Sequence, residues 1–230
     1  MTPLLYYLPR ATKDFTDHAI IHSYNLLRIL CELRPVLDLT KTLTEEERYV
    51  LCLSIFLHDL GCLIDRARHN EFSAKILDVE GFDRFEYEIG SDLWTCVKYV
   101  SISHSSTYEF SDLPLHPINP NVRLNLICAL FRMVDGCDLT QTRANPMLYK
   151  ILMRYDPLDI KSQTIWKAHF NIKGVVFEKH GRSVLILISS KRSATTNVLT
   201  DHLKDDLVKI NQILGQYKFP EFKVDVRAVS

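Results

Sequence analysis

The stretch Leu57-His58-Asp59-Leu60-Gly61 decides how this chain is read. It closes an apolar helical pattern with an imidazole and a carboxylate on adjacent positions. Upstream, Thr44-Glu45-Glu46-Glu47 forms a capping box: the Thr44 hydroxyl accepts from the third backbone N–H while Glu47 reaches back. The helix it opens is expected to run through residues 49–60 and to stop at Gly61 in a left-handed C-terminal conformation. Neighbouring helical residues stand about 100° apart, so His58 and Asp59 can lean into one cavity between helices. Burying a carboxylate in so apolar a segment is costly unless it is paired or bound to a metal.

Outward from this stretch, helical periodicity dominates the first two thirds of the chain. Residues 15–34 read as an amphipathic helix with Ile20, Ile21, Leu27, Ile29 and Leu30 on its buried side. His18 and His22, spaced i,i+4, share one face of it. Further helices are expected at 70–79, preceded by His69; at 84–104, ended by His104; at 121–137, with Asp135 near its end; and at 146–154. Pro114, Pro117 and Pro120 break the chain before residue 121, and the polar loop 105–120 is of the kind that borders sites. After about residue 160 the pattern turns β-rich at 170–177 and 184–188, with a hairpin turn at Lys179-His180-Gly181-Arg182. A helix at 196–216 presents Leu199, Leu203, Ile210 and Leu214 on one face, and a strictly alternating strand follows at 222–227. The expected fold is mainly α: a helical bundle over residues 1–158, followed by a small ββαβ lobe over 159–230 packed on it.

Composition narrows the function. Lys+Arg and Asp+Glu balance at 28 each in 230 residues, so no net field draws the chain to nucleic acid or anionic lipid. The six cysteines are scattered without CxxC spacing and read as buried apolar thiols in a reducing compartment. No apolar run approaches the roughly 20 residues of a membrane span. The N-terminus lacks a basic region followed by an apolar core. These features predict a cytoplasmic protein without a membrane partner. Imidazoles with carboxylates, rather than paired thiolates, suit a divalent transition metal. Singly, a helical histidine or a His-Asp dipeptide is ordinarily a core or surface residue. The joint order His22, His58-Asp59, Asp135 is what points to chemistry.

That order resembles the HD-domain superfamily of metal-dependent phosphohydrolases, whose ligands follow His…His-Asp…Asp. Residues 57–61 match its HD-x-G core, and Phe15-Thr16-Asp17-His18-Ala19-Ile20-Ile21-His22-Ser23 resembles the opening helix of one branch. His69-Asn70-Glu71-Phe72-Ser73-Ala74 resembles that branch's His-Pro-Glu-x-Ser-Ala segment, with Asn70 in place of proline. Residues 100–104 and 130–143 resemble its helix ending in a further histidine and its last helix and exit. The likeness covers roughly residues 15–145. Many catalytic members carry a lysine after HD-x-G; this chain has Cys62 there.

The resemblance implies an HD-type helical domain and metal-dependent hydrolysis of a phosphoester by hydroxide that the ions activate. It implies His22, His58, Asp59, His69, His104 and Asp135 as metal ligands, with Asp59, His69 and His104 in catalysis. Arg66, Arg68, Arg132 and Arg143 are the candidates to meet phosphate in place of the lysine, with His18 a further substrate-binding candidate, and Asp138 is either a carboxylate behind the ligands or a polar residue at the helix C-terminus. The expected cofactor is one or two ions of Mn, Fe, Ni, Co or Zn, with Mg a further choice. The expected substrate is small and phosphorylated, a nucleotide or cyclic oligonucleotide. The alternatives are a catalytically weak nucleotide-binding or protein-interaction module, and a metal-dependent nuclease. The balanced charge argues against nucleic acid as a partner. The oligomeric state stays open, a homo-oligomer included.

Overall fold

A computed structural model of the chain describes residues 20–79, 82–178, 183–189 and 194–229. The order of elements is α1 (Ile20–Leu37), α2 (Leu39–Thr42), α3 (Glu45–Leu57), a 3-10 turn (Leu60–Leu63), α4 (His69–Ile76), α5 (Asp83–Ile89), α6 (Ser91–Ser103), α7 (Leu124–Gly136), α8 (Pro146–Tyr155), α9 (Ile160–Asn171), β1 (Ile172–Glu178), β2 (Ser183–Ile188), α10 (Ala194–Gln216) and β3 (Lys223–Ala228). The molecule is mainly helical with one small sheet near its C-terminus, as the sequence predicts.

The bundle is organised around α7. Its side chains from Leu126 to Val134 are all buried, and it packs against α1, α3, α6 and α10. A helix apolar on every side is stable only inside a core, so the other helices arrange themselves about it. The capping box that opens α3 forms as expected: Glu47 N–H donates to Thr44 Oγ1 and Thr44 N–H donates to Glu47 Oε2, both at 3.0 Å. Glu47 is fully buried and is held by Arg123, whose Nη2 lies 2.7 Å from Glu47 Oε2. This pair fixes α3 against the start of α7. Burial alone would raise the Glu47 carboxyl, but the hydrogen bonds from Arg123 and Thr44 outweigh it and hold it below the usual carboxylate range.

The sheet has the order β1-β2-β3, with β1 and β2 antiparallel and β2 and β3 parallel. A parallel pair needs a long connection, and α10 supplies it. Leu203, Leu207, Ile210 and Leu214 of α10 are buried in the same apolar cluster as α7, β1 and β2. The β3 residues alternate between half-buried and exposed along most of the strand.

Several expectations change. On α1 the core positions are Leu26, Ile29, Leu33 and Leu37, whereas Ile21 is 50% exposed. The stretch read as one helix over 84–104 is two, divided at Gly90, whose φ of 91° is left-handed and ends α5. A helix, α9, that was not expected precedes β1 and runs to Asn171, so the strand begins at Ile172 rather than 170; Asp159 caps the helix by accepting from Ser162 N–H at 2.7 Å. Of the six thiols, Cys31 and Cys52 are exposed rather than buried. The turn at 179–182 and His18 lie outside the described residues. No helix among those described is long and apolar enough to cross a membrane.

Gly61 also departs from expectation. The α-helix ends at Leu57, His58 follows in helical conformation, and a 3-10 turn takes the chain on from Leu60. Gly61 is not in the left-handed region, which Gly90 alone occupies among the described glycines. Its reason is close approach: a Cβ there would collide with His69 O and Ser73 N, backbone atoms of α4. Gly61 N–H donates to Ser73 Oγ at 2.8 Å, which seats α4 against the turn.

Candidate metal centre

Five elements deliver the candidate ligands to one place. His22 comes from α1 and is fully buried; His58 ends α3 and is 1% exposed. Asp59 follows with φ −101° and ψ 4°, in the bridge region where active-site residues are often found. His69 opens α4, His104 ends α6, and Asp135 lies in the last turn of α7. Asn70, standing where the branch has proline, donates from Nδ2 to Ile102 O at 2.9 Å and so ties the start of α4 to the end of α6. That bond explains why His69 and His104 meet.

Four imidazoles share one design. His22 Nδ1 is 2.7 Å from Asp138 Oδ2, His58 Nδ1 is 3.2 Å from Ser54 O, His69 Nδ1 is 2.9 Å from Arg66 O, and His104 Nδ1 is 2.6 Å from Ser101 O. A carbonyl oxygen only accepts, so Nδ1 of the last three rings carries the proton and Nε2 points inward as a lone pair. Such outer hydrogen bonds fix the tautomer and direction of a ligating histidine.

The inward atoms fall into two groups that share Asp59. His22 Nε2 lies 3.3 Å from His58 Nε2, 3.1 Å from Asp135 Oδ1 and 3.6 Å from Asp59 Oδ2, and His58 Nε2 lies 3.2 Å from Asp59 Oδ2. In the other group, His69 Nε2 and His104 Nε2 lie 2.9 Å apart, and 3.6 Å and 3.7 Å from Asp59 Oδ1. Donors about 2.1 Å from one ion stand about 3.0–3.4 Å apart, depending on coordination geometry. Three of these separations, 3.1, 3.2 and 3.3 Å, fall inside that range and the other four just outside it. The cluster offers three overlapping donor sets that could hold a metal ion: His22, His58 and Asp135; His58, Asp59 and His104; and Asp59, Cys62 and His69.

The electrostatics agree. His69 Nε2 and His104 Nε2, 2.9 Å apart, are close enough to share a proton in a hydrogen bond or to bind one metal ion together. Burial, with repulsion from His58 and His69, pushes His104 down to about 3, so it is a neutral donor at any ordinary pH. His22 behaves oppositely. Burial and Arg143 act against its charge, but Asp135 and Asp138 outweigh them and raise it to about 9. Asp135 and Asp138 are held well below the usual carboxylate range; burial opposes this, and the hydrogen bond with His22 is the largest cause favouring it.

The substrate-facing candidates divide. Arg132 and Arg143 line a cleft of about 200 Å³ over Asp59, His69, His104 and Asp135. Arg132 is 1% exposed, donates from Nε to Ser103 O at 2.9 Å and from Nη2 to Tyr108 O at 2.7 Å, and lies over the Phe110 ring at 4.2 Å. Its Nη1 is buried with no hydrogen-bond partner. Arg143 approaches Asp138, with Nη1 3.4 Å from its carbonyl oxygen. Arg66 is not part of the cleft lining; it donates to Ser162 Oγ at 3.4 Å, beside the start of α9. Cys62, at the lysine position, is buried 4.0 Å from Asp59 Oδ1, and burial with the Asp59 charge pushes its thiol up, so it brings no cation.

Asp138, expected as a carboxylate behind the ligands, is fully buried and anchors His22. Sequence reasoning did not single out Ser105, Ser106, His202 and Asp206, which line the cleft. The two serines follow His104 directly, a signal that was available. His202 and Asp206 carry only an i,i+4 spacing on a helix far along the chain, and nothing in the sequence links them to the histidines.

Compared with protein families, residues 12–209 match HD-CE. None of the curated proteins compared with the chain matches it.

Proposed function

The chain belongs to the HD-CE family, and from that premise we propose that it is a metal-dependent phosphoric ester hydrolase acting on a small nucleotide or cyclic oligonucleotide. One observation carries the reading: His69 and His104 aim facing Nε2 atoms at one point, and Asp59 joins that point to the group of His22, His58 and Asp135. His22, His58, Asp59 and Asp135 would hold one ion, and Asp59, His69 and His104 a second. Imidazole and carboxylate donors suit Mn, Fe, Co, Ni or Zn. When bound, such ions polarise a phosphoryl oxygen and lower the pKa of water from about 15.7 towards about 7.

The chain's own residues do the rest. Asp59 sets the spacing of the two donor groups, and Asp138 and the backbone carbonyls keep each ring pointed inward. Arg132, which lines the cleft, would offset the negative charge that grows on an equatorial phosphoryl oxygen. Arg143 on the same wall adds a second positive charge. The small cleft and the balance of 28 basic and 28 acidic residues favour a compact substrate over a polymer, whose backbone needs a basic stripe. In this reading residues 159–230 shape specificity by closing one side of the cleft with α10.

The test is turnover of a panel of mono-, tri- and cyclic nucleotides and cyclic oligonucleotides with added Mn²⁺. Hydrolysis of one small class is expected. Preferential cleavage of single-stranded DNA or RNA would instead favour a nuclease. A second reading, a binding module, draws on the buried Cys62 thiol at the lysine position. Tight nucleotide binding with metal present and no turnover would favour it.

A further inference from the structure

Helix α10 belongs to the C-terminal part of the chain, yet it places two side chains in the cleft over the histidines. Gly136, directly after Asp135, allows this: a Cβ there would stand 3.3 Å from Leu203 Cδ1, so only a glycine lets α10 pack this close without a neighbour giving way. Leu203 is 1% exposed and anchors the contact. Further along α10, Lys209 Nζ lies 2.6 Å from Glu109 Oε1, which fixes the helix to the segment that follows His104. Between these two anchors, His202 and Asp206 face the cleft one helical turn apart, with His202 Nε2 3.6 Å from Asp206 Oδ2.

The two have different surroundings. His202 is 62% exposed at its side chain and stands at the rim, whereas Asp206 is 9% exposed and lies inside. Burial raises the Asp206 carboxyl, against the nearby charges of His202, Arg132 and Lys209, and Asp135 adds to the rise. A carboxylate is poorly placed to bind phosphate. At 3.6 Å from His202 Nε2, it is placed to orient the imidazole.

We propose that His202 protonates the leaving-group oxygen of the phosphoester, with Asp206 as the residue that positions its ring. This deepens the hydrolase reading and rests on it. The step balances without any redox partner. The oxygen of the attacking water forms the new P–O bond, the ester P–O bond breaks, and the departing oxygen takes the proton from His202. The proton lost by the attacking water returns to solvent, from which His202 is reprotonated. The substrate class follows: esters with basic leaving groups, such as the hydroxyl of a sugar, need this proton, and esters of acidic phenols do not. General acids of this kind contribute typically about 10²–10⁴-fold.

The experiment compares wild type and His202→Gln on two Mn²⁺-supported substrates, a nitrophenyl and an alkyl ester of the same phosphate. The expected loss grows with leaving-group basicity: about 10²-fold or more for the alkyl ester, and far less for the nitrophenyl ester. Asp206→Asn should reproduce the trend more weakly, acting on kcat rather than KM. Metal content and melting temperature of His202→Gln should match the wild type, because the side chain is exposed and is not among the donors. Equal losses on both esters, or none on either, would overturn the proposal and leave the hydrolase reading intact. A wild type that cleaves neither these esters nor any nucleotide of the panel would remove both.

Discussion

At the scale of single residues, the site is defined by where each proton sits. Nδ1 of His69 and of His104 donates to a carbonyl, so their Nε2 atoms are free for a cation. His22 differs because both its nitrogens face carboxylates, Nδ1 to Asp138 and Nε2 to Asp135. Its rise to about 9 means that the metal-free protein carries a proton there at neutral pH. The sign follows directly. This raised group stabilises the metal-free fold fully below its ordinary value near 6.5 and loses that contribution as pH rises through about 9. A metal taking His22 Nε2 must expel the proton, so metal addition at pH 7.5 should release about one proton per chain from this residue. Titration in a weakly buffered solution with a pH indicator measures it. Release should disappear above pH 10; release that is independent of pH would contradict the assignment.

At the scale of elements, the placement of helix ends matters most. Gly61 has no Cβ because α4 passes directly over it, and that contact sets the position of His69. Gly61→Ala should therefore push α4 outward, destabilise the fold by about 1–3 kcal/mol, and weaken the metal held by His69 and His104. Denaturant midpoints and metal content per chain report both effects, and an unchanged midpoint would contradict the close-approach argument. The glycine itself was legible in sequence, but its reason was not. A glycine after an apolar helix ordinarily signals a left-handed cap, and only the fold shows that α4 passes over it. The split at Gly90 was hidden for a related reason, since apolar periodicity continues across it. The capping box at Thr44 was fully legible because its partners lie three residues apart. So were His58, Asp59, His69, His104 and Asp135, since neighbours and order along the chain identify them. His202 and Asp206 were not, because only the packing of α10 on α7 beside Gly136 brings them to the cleft.

At the scale of the whole molecule, the proposed metal centre would act as a crosslink. Its candidate donors come from α1, α3, α4, α6 and α7, helices of the bundle. Without an ion, the fold must hold converging imidazoles and carboxylates in a largely buried cluster, which costs stability. A ligand present at about 1,000 times its Kd adds about 4 kcal/mol. In a chain of this size each kcal/mol moves Tm by about 2–4 °C. Stripping the metal with a chelator should accordingly lower Tm by roughly 8–16 °C, and restoring Mn²⁺ or Zn²⁺ should recover it. Scanning calorimetry with and without chelator tests this, and a Tm indifferent to both would argue that the histidines are structural.

In the proposed centre Asp59 would serve both donor groups, with Oδ2 towards His58 and Oδ1 towards His69. Elemental analysis of the purified protein beside Asp59→Ala tests it most directly. About two transition-metal ions per wild-type chain are expected, with near-complete loss of both in the variant, because the shared donor of both groups is gone. Metal undiminished in Asp59→Ala would contradict it.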